Sequence, residues 1–94
     1  MIRVQEQAFD VGHEIKVIKA GKSQIGGTAV FVGTVRDIND GADVSALTLE
    51  HYPGMTEKAL ADIVVEARSR WALDDVLIIH RYGRMDVGED IVLV

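Results

Sequence analysis

The chain has 94 residues, 48% of them hydrophobic and 27% charged, with a formal net charge of -5 at pH 7. That length suits one small domain, and the composition is that of a folded chain rather than a disordered one. The acidic balance argues against a broad nucleic-acid-binding surface, which needs clustered Lys and Arg, and the lack of any cysteine excludes disulfides, thiolate metal sites and cysteine nucleophiles.

The opening MIRVQEQAFD has no apolar core of a signal peptide, and the apolar runs fall far short of the ~20 residues of a membrane helix. A cytoplasmic protein with no membrane partner is expected. In chain order, Ile2 to Gln5 alternates apolar and polar residues and predicts a short strand. Asp10 is placed to cap a short helix carrying Val11, Ile15 and Ile18, with Gly21 as its stop. Thr28 to Arg36 is a β-rich run too apolar to be solvated on both faces. Asp37 to Asp43 reads as a turn-forming loop in which Asn39, Asp40 and Gly41 tolerate unusual dihedrals.

Val44 to Tyr52 predicts a strand with Leu47, Leu49 and His51 on one face, stopped by Pro53-Gly54. The strongest signal follows. From about 56 to 71, Leu60, Ile63, Val64, Ala67 and Trp71 form one helical stripe, taken as core. Glu57, Lys58, Asp62, Glu66, Ser69 and Arg70 form the outer face, with Lys58/Asp62 and Glu66/Arg70 paired at i, i+4. Asp74-Asp75 ends the helix, and Val76 to His80 is another strand. A hairpin-like connection through Asp86 to Asp90 leads to the apolar run Ile91 to Val94. That run has no polar finish, so the 94 residues are expected to be one domain that forms the front part of a longer protein.

Few residues announce chemistry. Arg36 closes the central β run before a loop with Asn39 and Gly41, where its planar fork of donors suits an anion. An ion pair with Asp37, Asp40 or Asp43 is the plainer alternative. His51 and His80 end strands, but no third ligand is spaced for zinc, and hydrogen-bonded structural histidines are the simpler reading. Arg81 and Arg84 straddle a Tyr82-Gly83 turn, with ion pairs to Asp86, Glu89 or Asp90 as the ordinary outcome. Gly26-Gly27 and Gly33 make no phosphate-binding motif, and no serine or carboxylate pair is set up as a catalytic group. These features alone reach a small α+β domain with a candidate anion site.

Longer motifs say more. LTLEHYPGMTEKAL at 47–60, EARSRW at 66–71, FVGTVR at 31–36 with Asn39 and Gly41, and IHRYG at 79–83 with Val87-Gly88 through Val92 together resemble the large-subunit family of molybdopterin synthase. The resemblance implies an α+β fold with an α/β-hammerhead-like core of mixed and antiparallel sheet. It implies a sulfurtransferase of molybdenum cofactor biosynthesis, working as a homodimer of large subunits that each bind a small ubiquitin-like sulfur-carrier subunit, a heterotetramer in all. The carrier's thiocarboxylated tail would donate sulfur twice to cyclic pyranopterin monophosphate to form the molybdopterin dithiolene, with no cofactor or metal in the step.

By motif position Thr34, Val35 and Arg36 correspond to the family's substrate-binding segment, Arg36 holding the phosphate or an anionic intermediate, with Phe31 shaping the pocket. His51, His80 and Arg81 fall in family motifs as structural residues. The resemblance puts a His-Arg pair and the lysine segment KxxxPxWKxE beyond Val94, so catalytic residues are left unassigned, and Lys16, Lys19, Lys22 and Lys58 do not match that segment. A non-catalytic dimerising or pterin-binding module of the same family is the alternative, and a scaffold that only docks the carrier is a third.

Overall fold

The computed structural model describes residues 1–39, 42–43 and 45–94, with side chains for all of these except 38, 39, 42 and 43. The fold is α+β. Strand β1 (Ile2–Gln5) precedes helix α1 (Val11–Lys19), and β2 (Val32–Thr34) is followed by the two-residue strands β3 (Ile38–Asn39) and β4 (Ala42–Asp43). Next come β5 (Ala46–Leu49), helix α2 (Met55–Arg70), β6 (Ile78–Arg81), β7 (Gly83–Asp86) and β8 (Asp90–Leu93).

The main sheet has the order β1-β6-β8-β2 and is mixed, as expected: β1 runs parallel to β6, while β6–β8 and β8–β2 are antiparallel. β6 lies inside the sheet, which explains its apolar run and why Ile78 and Ile79 are buried. Val35, Met85 and Leu93 complete the buried apolar set among the described residues. None of the described helices is long and apolar enough to cross a membrane.

Local signals placed most of these segments. Asp10 caps α1 as expected, its carboxylate accepting from the His13 N–H at 2.8 Å. The Lys58–Asp62 and Glu66–Arg70 pairs close at 2.9 and 2.7 Å on the solvent face of α2. Both partners of each pair are exposed, so each adds only a few tenths of a kcal/mol, roughly.

Several expectations are corrected. The β run of 28–36 is regular only over Val32–Thr34, and Val30 and Phe31 are exposed, because β2 is the edge strand with a neighbour on one side only. The 37–43 loop includes an antiparallel pairing of β3 with β4, while Asp40, Gly41 and Val44 lie outside the described residues. The 44–52 and 76–80 strands shift to Ala46–Leu49 and Ile78–Arg81. The core stripe of α2 is narrower than expected: Leu60, Val64 and Ala67 are half-buried, but Ile63 is 57% exposed. Trp71 is 61% exposed for a separate reason, since it caps the helix in an extended conformation and so leaves the helical stripe.

The largest correction concerns residues 82–90. The Tyr82-Gly83 pair is not a turn between arginines but the point where β6 passes into β7, which pairs with β5 in a separate two-stranded sheet. Gly83 has φ +86°, a left-handed backbone that a side chain rarely adopts, and this lets one chain segment serve two sheets. The 86–90 connection is therefore not a hairpin: its flanking strands pair with β5 on one side and with β6 and β2 on the other.

Candidate functional site

The candidate residues cluster where β2 ends against β8. Val32 faces Leu93 and Gly33 faces Val92, but Thr34 faces Asp90, so Ile91 is an extra residue on β8. Such a bulge bends the pairing and re-aims the strand end. Close approach is needed here too: a Cβ on Gly33 would stand 2.7 Å from a Val92 methyl and 3.7 Å from the Phe31 ring. Beyond the bulge the chain is clamped by backbone bonds, Val35 N–H to Glu89 O at 2.9 Å and Gly88 N–H to Val35 O at 2.8 Å. Thr34 Oγ1 donates to Asp90 Oδ1 at 2.9 Å.

Alternation then separates the three predicted binding residues. Thr34 and Arg36 are exposed, whereas Val35 is buried with 3% of its surface accessible. With its N–H and C=O both engaged, Val35 presents no group to a ligand. Thr34 has its hydroxyl committed to Asp90. Arg36 extends from this clamp into solvent and forms no ion pair with a described side chain, Asp37 included. Asp40 and the side chain of Asp43 lie outside the described residues. Phe31, 62% exposed, sits on the same edge just before β2, three residues upstream of Thr34.

A concavity of about 490 Å³ lies elsewhere, between α1, the C-terminal end of α2 and residues 25–30. Ile18, Ile25, Val30, Leu73, Leu77 and Val94 line much of it. Its charged lining is Lys19 against Glu14, Asp74 and Asp75, three carboxylates to one ammonium, which does not favour a phosphate.

His51 and His80 both make hydrogen bonds within the fold. His51 Nε2 meets Glu57 Oε1 at 2.8 Å, and its ring packs on Tyr82 with centroids 4.5 Å apart. His80 Nδ1 lies 2.9 Å from Arg81 O. Among the described residues no three His, Asp or Glu side chains gather as a metal site would need. Arg81 pairs with Glu89 and Arg84 with Asp86, the ordinary outcome anticipated for both.

Glu57 lies on the outer face of α2 as expected, its side chain 43% accessible, but it also has contacts the face assignment did not anticipate. Besides His51 it accepts the Gly54 N–H at 3.2 Å, so it closes the helix N-terminus on itself. The signal was present in the Gly54–Glu57 spacing, three residues apart at a helix start. The His51 hydrogen bond first, and the Gly54 N–H second, hold the Glu57 carboxyl below the usual glutamate range. A depressed carboxylate stabilises the fold above its unfolded pKa, and that contribution is lost as pH falls through the lower folded value. Glu57→Gln is thus expected to lower the melting temperature at neutral pH, with the difference from wild type closing on acidification. Melting curves recorded across the acid range check this, and a constant difference would remove the charge from the explanation.

Comparison with known proteins decides the family. The family model described as MoaE protein matches residues 4–94. The chain belongs to the MoaE family. It is 61% identical over 93 residues to the molybdopterin synthase catalytic subunit of Ralstonia nicotianae, covering 99% of this chain and 53% of that protein. It is 54% identical to the molybdopterin synthase catalytic subunit of Pseudomonas aeruginosa, covering 99% of this chain and 62% of that one. Among solved structures, molybdopterin cofactor biosynthesis protein E of Burkholderia multivorans superposes with a TM-score of 0.85 at 48% identity, over 99% of this chain and 60% of that one. Molybdopterin synthase of Staphylococcus aureus superposes with a TM-score of 0.81 at 27% identity, over 97% and 65%. The MoaE-family chain thus spans between about half and two thirds of the length of these relatives.

Proposed function

We propose that this MoaE-family chain acts in molybdenum cofactor biosynthesis as the N-terminal part of a molybdopterin synthase large subunit. In that role it takes part in sulfur transfer from the thiocarboxylated tail of a small ubiquitin-like carrier to cyclic pyranopterin monophosphate. It does so within a homodimer of large subunits, each with a carrier bound. The motifs at 31–36 and 47–60 and the names of the relatives support this reading.

The observation that carries it is Arg36, an exposed guanidinium extending from a clamped strand end in a protein of net charge -5. A planar fork of N–H donors suits a phosphate, and a fixed backbone lowers the ordering cost of binding it. Of the segment 34–36, Arg36 contacts the ligand, while Thr34 and Val35 hold it in place through Asp90, Glu89 and Gly88. The exposed ring of Phe31 offers an apolar face to the flat pterin. These residues account for binding and orientation, not for proton transfer.

The test is a titration with cyclic pyranopterin monophosphate, followed by addition of the thiocarboxylated carrier and detection of the dithiolene product. Saturable pterin binding is the expected result for these residues, with product expected from the whole large subunit. Binding without product there favours the non-catalytic pterin-binding module, and carrier binding without pterin binding favours the docking scaffold. Absence of both interactions overturns the proposal.

A further inference from the structure

Arg81 is the one buried charged residue among those described, with 7% of its surface accessible. A buried guanidinium is tolerated only when its donors are met. Here they reach three places. Nε donates to Glu6 O at 2.9 Å, and Nη1 donates to Glu89 Oε1 at 3.2 Å and to Asp90 O at 3.1 Å. The other carboxylate oxygen of Glu89 accepts the Asp86 N–H at 2.6 Å. That backbone bond first, and Arg81 second, keep the Glu89 carboxyl below the usual glutamate range.

Arg81 therefore ties the chain leading from β1 into α1 to the connection between β7 and β8. The same connection holds the strand end that carries Arg36. Glu89 O and Gly88 N–H engage Val35, and the Asp90 carboxylate engages Thr34. Each residue that fixes the backbone just before Arg36 is thus itself bonded to Arg81 or one position from a residue that is.

We infer that Arg81 is a positioning residue for the anion site, holding the Gly88–Asp90 segment so that Arg36 projects from a fixed backbone. This rests on the reading of Arg36 as the anion-binding group. It also accounts for arginine rather than lysine at position 81. Two nitrogens of a rigid plane must serve Glu6 on one side and Glu89 with Asp90 on the other, which a single ammonium cannot do at once.

The experiment measures the dissociation constant for cyclic pyranopterin monophosphate in wild type, Arg36→Ala, Arg81→Lys, Glu89→Gln and the double variant Arg36→Ala/Arg81→Lys. Arg81→Lys is expected to weaken binding about 10-fold, within the span of indirect coupling effects, and Glu89→Gln to act in the same direction by less. In the Arg36→Ala background the Arg81→Lys effect should vanish, because the residue through which it acts is gone. Amide exchange at Val35 should quicken in Arg81→Lys. A merely structural arginine would lower affinity equally in both backgrounds, and that result overturns the inference, as does unchanged affinity in both Arg81→Lys and Glu89→Gln. Should Arg81→Lys not fold, Glu89→Gln with and without Arg36→Ala makes the same comparison. Wild-type affinity in Arg36→Ala alone removes the underlying reading, and the inference with it, and is recognisable because that variant leaves Arg81 untouched.

Discussion

Ile79→Ala is expected to destabilise the protein by about 2–5 kcal/mol, the usual cost of truncating a fully enclosed aliphatic side chain. Ile79 has no accessible surface and lies in β6 between Arg3 of β1 and Leu93 of β8. The expected loss is large against the roughly 5–15 kcal/mol that holds a domain folded. It falls on a thin core, because no residue of either helix is fully buried. Urea unfolding of wild type, Ile79→Ala and Ile63→Ala provides the measurement. Ile63 is 57% exposed, and its truncation should stay within about 0.5 kcal/mol of wild type. If the two variants unfold at the same urea concentration, the core is not centred on β6.

This contrast marks what a sequence reading reaches. Helical periodicity put Ile63 and Trp71 beside Leu60 and Val64, but periodicity specifies a face and not how much of it is covered. Only the packing of α2 decides that Leu60 is half-buried while Ile63 faces solvent. β1, α1 and α2 were legible because their signals are local: alternation, an Asp10 cap, a 3.6-residue stripe. β7 was not. Its sequence Gly-Arg-Met-Asp buries only Met85, and its partner β5 lies over thirty positions away in the chain, so neither composition nor spacing betrays it.

The candidate site divides in the same way. Arg36 was legible as a donor fork at a strand end. Strand alternation could also have separated exposed Thr34 and Arg36 from buried Val35, which the motif comparison alone grouped together. The supports were legible only in part. The Arg81–Glu89 pair was among the ion pairs expected, but Glu89 reaches Val35 through a backbone carbonyl, a contact that no periodic pattern signals. A bulge at Ile91, which re-aims the strand end, leaves no compositional trace at all.

Under the proposed function, Arg36→Ala should weaken binding of cyclic pyranopterin monophosphate by about 10- to 100-fold, the range set by loss of one or two charge-assisted hydrogen bonds. Stability should change little, because Arg36 is exposed and makes no ion pair with a described side chain. Arg36→Lys keeps the charge and loses the planar fork, so its affinity should fall between the two. Salt separates a charge effect from a change of shape. With an exposed guanidinium and a Debye length of about 10 Å at about 0.1 M ionic strength, added salt weakens wild type more than Arg36→Ala, and their difference narrows. Isothermal titration at low and high salt reads all three proteins. Wild-type affinity in Arg36→Ala at low salt would take Arg36 out of the site. A difference that persists undiminished at high salt would assign its role to contact geometry rather than to charge.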